Sequence, residues 1–189
     1  GILLHDHETA LYHFETDHAE CNVHIIRILR KNTDESGNAW SDKMITLLCE
    51  MNRIRKGYME QGASVLPAEV VREYEEKYFA LLEEGRAENK ATSHKYAKQE
   101  EKTPLNRMGK YRHNHLLFLH DFAVPFDDNI SERDLRKVKN RQKMAGGFCK
   151  ESGQKMYCSI MSIIETLKKR NTGIIKNIKK LFMGTAAIF

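Results

Sequence analysis

The chain has 189 residues, with 31 basic and 26 acidic side chains and a formal charge of +5. At 41% hydrophobic residues, 11 Gly and 3 Pro, it can bury a core, which excludes a disordered, collagen-like or low-complexity protein. No stretch approaches the roughly 18 apolar residues of a membrane span. Gly1–Leu4 lacks the basic region of a secretory signal and there is no initiator Met, so we expect a reduced, cytoplasmic chain excerpted from a longer one.

Residues 1–5 (Gly-Ile-Leu-Leu-His) form an apolar run that meets Asp6, which predicts a buried strand with a carboxylate at its C-terminal end. A short helix or turn follows over 8–14, a second short strand over 17–22 and a helix over 23–30. Asn32 to Asn38 is turn chemistry and predicts a boundary. From Trp40 the period becomes helical: Met44, Leu47, Leu48, Met51 and Ile54 share one face, and Gly62 ends the helix. Pro67 opens the next, with Val70, Val71, Tyr74, Tyr78, Leu81 and Leu82 inward. Residues 85–103 are polar and predict either more helix or a solvated connector. Pro104 is expected to start a third long helix running through Phe122. After a loop over 122–129 comes a helix with Glu132 and a dense basic run, broken at Ala145-Gly-Gly147. Two amphipathic helices finish the chain, with stripes at Met156, Ile160, Ile163, Ile164 and Leu167 and at Ile174, Ile175, Ile178 and Leu181.

Charge is uneven. Residues 1–131 carry 17 basic and 22 acidic side chains, whereas residues 132–189 carry 14 basic and 4 acidic. A basic C-terminal part predicts either a polyanion-binding face or a solvated basic surface. Arg133, Arg136, Lys137, Lys139, Arg141 and Lys143 place six cations in eleven residues, dense enough to neutralise a nucleic-acid backbone. Glu132, three residues after Asn129, has the spacing of a capping box. Beside a phosphate-binding stripe it also has the chemistry of a metal ligand in phosphoryl transfer. Asp6 reads either as the start of a turn or as a reactive group at a strand's carboxyl end. His18, Cys21 and His24 are spaced by two residues each. They lack the paired ligands of common zinc sites, so packing and hydrogen bonding compete with a metal role.

The block Val124-Pro-Phe-Asp-Asp-Asn-Ile-Ser-Glu-Arg-Asp-Leu-Arg-Lys-Val-Lys-Asn-Arg-Gln-Lys-Met-Ala-Gly-Gly-Phe148 resembles the C-terminal signature of insertion-sequence-66 family transposases. Gly1–His7 with Ala10-Leu-Tyr12, His18–His24, and Ser162-Ile-Ile-Glu-Thr-Leu-Lys168 are similar to other parts of that family. The resemblance implies a DDE enzyme that is mainly α with a small α/β part: an RNase H-like core lacking its first strands, carrying a large helical insertion. Its divisions are a partial core over 1–32, the insertion over 33–121, a Glu-bearing basic helix over 122–150 and terminal helices over 151–189.

By resemblance Asp6 and Glu132 are the second and third acids of the triad and ligands of two Mg²⁺, with Lys139 seven positions on. Cys21 and His24 form the C-x2-H pair, and the cations after Glu132 hold DNA. The first acid and three strands are expected upstream of Gly1, so the chain alone is expected to be inactive, with residues 1–30 marginally stable. Implied partners are insertion-sequence ends, target DNA, the missing N-terminal part, further copies and accessory transposition proteins, in a nucleoid-associated, cytoplasmic setting without membrane. A non-catalytic DNA-binding remnant and, last, a small His/Cys metal-binding helical protein are the alternatives. Two departures from the family pattern stand out: Asp128 where Asn is usual, and Cys149 where Arg is usual.

Overall fold

The computed structural model describes residues 1–185, with the side chains of Ile130 and Ser131 excepted. The last four residues of the expected 151–189 segment lie outside the described residues. The chain divides into two compact units, the first being Gly1–Asp128 and the second beginning at Asn129.

The first unit opens with β1 (Ile2–His5), a 3-10 turn (Thr9–His13) and β2 (Asp17–Glu20). The two strands pair in parallel, Ile2 opposite Asp17 and His5 opposite Glu20. The Cys21 N–H continues the ladder to the His5 carbonyl at 2.8 Å. Five helices follow: α1 (Asn22–Ser36), α2 (Ala39–Glu60), α3 (Ala68–Ala91), α4 (Lys95–Lys110) and α5 (Arg112–His120). The mainly helical architecture agrees with the expected class.

The predicted inner faces of α2 and α3 are the ones buried. Met44, Leu48, Met51, Tyr78 and Leu82 are at most 1% exposed. They pack with Trp40, Leu105, Met108 and Phe118 in one core. Gly85 lets α3 approach closely, because a Cβ there would lie 2.7 Å from both Trp40 Cδ2 and Leu105 Cδ2. Polar groups tie the helix ends together. Glu88 of α3 accepts from the N–H groups of Ala39 and Trp40 at 2.8 and 3.1 Å. It thereby caps the positive end of α2. Buried Glu101 of α4 accepts from Asn38, Asn89 and Thr92 at 3.3, 2.9 and 3.1 Å.

Three local expectations are corrected. Residues 32–36 continue α1, which ends at Gly37 with φ +64, because Asn32 is buried on the packed face. Pro104 lies inside α4, not at its start; the helix begins after His94, whose ring accepts from the Ala97 N–H. The third helix breaks at Tyr111, so α5 is a separate element ending at His120.

The second unit holds α6 (Asn129–Met144), α7 (Glu151–Lys169) and α8 (Ile174–Phe182). Gly146 and Gly147, at φ +67 and +115, end α6 as expected. Lys137 of α6 bonds Glu165 of α7 at 2.6 Å, and Lys169 of α7 bonds Asp134 at 2.7 Å. An apolar cleft of about 310 Å³ lies between α7 and α8, lined by Ile160, Ile163, Ile178, Leu181 and Phe182. Among the described residues no helix is long and apolar enough to cross a membrane.

Candidate functional site at the strand ends

Both strands end in acids or in residues beside them. Asp6 follows β1 and is exposed. Its carboxylate makes no hydrogen bond or ion pair among the described residues. The next residue, His7, has φ +75, a left-handed conformation rare outside Gly and Asn, and it turns the chain sharply off the strand. His5, the last residue of β1, is instead buried and accepts from the His7 N–H at 3.2 Å.

Glu20 closes β2 with its side chain wholly buried. His7 Nδ1 lies 2.6 Å from Oε1, and the Tyr12 hydroxyl donates to the same oxygen at 2.5 Å. Arg107 of α4 donates to Oε2 from Nε at 2.8 Å and from a terminal nitrogen at 2.7 Å. That terminal nitrogen also reaches the Asp6 carbonyl at 3.4 Å. His115 Nε2 of α5 is 3.2 Å from Oε2, yet neither ring nitrogen has hydrogen-bond geometry to a partner. Burial pushes the Glu20 carboxyl up, but His115, Tyr12 and Arg107 together outweigh it and hold it below its ordinary value. Burial dominates at His115 and drives its imidazole down to about 4. Burial and the Glu20 contact both raise Tyr12.

The turn is caged by aromatic rings. Tyr111, between α4 and α5, stacks on Tyr12 with centroids 4.8 Å apart and a 27° tilt. His7 meets Tyr111 edge-on at 4.9 Å.

Cys21 and His24 sit at the start of α1. The Cys21 sulfur is buried and accepts from the Asp128 N–H at 3.3 Å; burial raises its thiol. The Asn22 N–H donates to the Phe126 carbonyl at 3.1 Å. Buried Arg55 of α2 donates to the Phe122 and Val124 carbonyls at 2.6 and 2.9 Å. The segment that ends the first unit is thus fixed at four points, Phe122, Val124, Phe126 and Asp128. His24 Nε2 is 3.3 Å from an Arg27 nitrogen, and His18 turns to His5 at 3.3 Å. The described residues contain no group of three or more His, Cys, Asp or Glu able to hold a metal, so His18, Cys21 and His24 do not gather as ligands.

In the second unit Glu132 lies in the first turn of α6 and accepts from Arg136 at 2.9 Å. Arg133, Lys139, Arg141 and Lys143 are exposed. Lys137 is held between Asp134, at 3.5 Å, and Glu165. That pairing keeps its charge within the helix pair.

A family model described as "Transposase IS66 family" matches residues 1–156. The chain belongs to the IS66 transposase family. No curated protein and no solved structure matched it. The match spans all of the first unit together with α6 of this IS66 transposase region, and it ends within α7. Glu20, Arg107, Tyr111 and His115 of the transposase escaped the sequence reading. The traces they leave are an acid between Ala19 and Cys21 at a strand end, and an arginine in a segment, 102–120, without acids.

Proposed function

We propose that this chain carries the second and third acids of a DDE transposase, Asp6 and Glu132, within an RNase H-like core. The complete enzyme cleaves phosphodiesters at insertion-sequence ends and joins them to target DNA. The observation that carries the reading is the family match over 1–156, joined to an exposed acid at the carboxyl end of β1, where open α/β sheets set reactive groups. The parallel β1–β2 pair supports neighbouring strands of such a core, and the helices of 33–121 support an insertion.

In this reading Asp6 and Glu132 would each offer Mg²⁺ carboxylate oxygens, the hard donors that ion takes. When bound, such ions would supply activation of water or a 3′-hydroxyl and charge stabilisation at the leaving oxygen. The chain's own residues do the rest. The His7 turn, pinned by Glu20 and Arg107, presents Asp6 to solvent. Arg133, Lys139, Arg141 and Lys143 take backbone phosphates. Asp6 and Glu132 are two of the three acids of such a triad, so this chain alone is expected not to cleave. The complete protein works at the nucleoid, in the cytoplasm, as an assembly of copies with accessory transposition proteins.

The test mixes this chain with a separately expressed upstream segment on a plasmid bearing the insertion-sequence ends, with Mg²⁺. Cleavage is expected only from the mixture, and Asp6→Asn and Glu132→Gln should each abolish it. Cleavage that survives both substitutions removes the acid assignment. The second reading is a DNA-binding remnant; DNA binding by a mixture that never cleaves would select it.

A further inference from the structure

A cleft of about 320 Å³ opens beside the Asp6 turn, lined by His7, Asn106, Arg107, Lys110 and Tyr111 among others. Its size suits one nucleotide. The first unit carries an excess of acid, 22 acidic against 17 basic side chains, yet residues 102–120 hold Lys102, Arg107, Lys110 and Arg112 and no acid at all. Elsewhere in the unit, several cations are neutralised: Lys31 pairs with Glu35 and Glu100, Lys43 with Glu84, and Lys77 with Glu73. Arg107 is likewise spent on Glu20. Lys110 differs. It is exposed, makes no ion pair among the described residues, and its ammonium rests 4.8 Å above the Tyr111 ring. That ring is backed by Tyr12, itself tied to Glu20, so the aromatic floor of the cleft is rigid.

We infer that this cleft is a nucleotide site of the helical region: Lys110 takes a DNA phosphate and Tyr111 the adjoining sugar or base, beside the His7 turn that follows Asp6. The inference rests on the reading of the chain as a DNA-acting transposase. A mobile ammonium over a fixed aromatic ring suits a backbone phosphate beside a stacking base, and both interactions tolerate any sequence. The α4–α5 elbow then grips DNA at the reacting end, in addition to the basic face of α6.

The experiment measures fluorescence anisotropy of the full chain with a labelled oligonucleotide duplex frayed at one end, in EDTA, over 50–200 mM salt. Lys110→Glu should weaken binding about tenfold at the lowest salt and lower the salt slope by about 1. Tyr111→Leu should weaken it about fivefold with the slope unchanged. Lys90→Glu, an equal charge change at an exposed site of α3, is the control. In a parallel arm, 5-iodouracil at the frayed end should crosslink to the peptide containing Tyr111. Binding by Lys110→Glu equal to that of Lys90→Glu, with loss confined to an Arg133/Lys139/Arg141/Lys143→Ala variant, overturns this site while leaving the DNA reading intact. No binding by the unsubstituted chain overturns both.

Discussion

Arg107 bonds Glu20 across 87 residues, with Nε and a terminal nitrogen converging on one carboxylate oxygen at 2.8 and 2.7 Å. The side chains are 11% and 0% exposed, so the pair lies where an unmatched charge is costly. The same guanidinium touches the Asp6 carbonyl, so one residue of α4 orders both strand ends.

Arg107→Met is therefore expected to cost about 3–5 kcal/mol, the range for stranding one member of a buried pair. The double variant Glu20→Gln/Arg107→Met should be less destabilised than the sum of the single changes. Urea unfolding of the four proteins closes this cycle. Additive losses would mean the two side chains do not act as a pair.

Stability should fall in mild acid. The His115 imidazole is held near 4 in the fold against an ordinary 6.5, chiefly by burial. With the folded value the lower one, the unfolded chain takes up the proton first. The contribution is therefore complete above about pH 6.5 and is lost as pH falls from there to about 4, up to about 3 kcal/mol in all. Glu20, depressed below its ordinary 4.5, extends the loss to lower pH in the same direction. Urea midpoints at pH 7 and pH 5 should differ, and His115→Gln should flatten the difference. A pH-independent midpoint in the unsubstituted chain would contradict this.

Gly85→Ala is expected to destabilise by about 1–3 kcal/mol through overpacking against Trp40 and Leu105. Trp40 is the single tryptophan of the chain, so its emission reports the same event. A variant with unchanged melting temperature and emission would show that the helices part without penalty.

Within α6 the cations should separate into two groups. Alanine at Arg133, Lys139, Arg141 or Lys143 should lower the salt slope of DNA binding by about 0.9 for each phosphate left without its cation. Lys137→Ala should instead loosen α6 from α7, since its ammonium is engaged by Asp134 and Glu165. Circular dichroism with anisotropy separates these effects. A full slope change at Lys137 with helicity intact would place it on the DNA.

Much of the fold was legible because its signals are local. The spacing of Met44, Leu48 and Met51, the stop at Gly62 and the start at Pro67 all lie within a few residues of what they determine. Asn32 to Ser36 misled because turn-forming residues yield to helix when tertiary packing covers one face. Pro104 misled because a proline can be accommodated within a helix, though it forfeits a backbone donor. The candidate site was half legible. Asp6 announces itself as an acid after an apolar run. Glu20 does not, because what makes it unusual is Arg107, and no local pattern records a partner so distant. Lys137 looked like its neighbours in the basic run, and only the packing of α7 distinguishes it.

The Asn22 amide, at the first residue of α1, donates to the His115 carbonyl of α5 at 2.9 Å, buried and 93 residues away. The helical region thus supplies an acceptor to the residue that opens α1, just as Arg107 supplies a cation to the acid that ends β2. Such a region is not a cassette that recombination can replace freely. An exchanged copy has to bring an acceptor and a cation to the same two places, so the strand ends and the helices between them are expected to be inherited together.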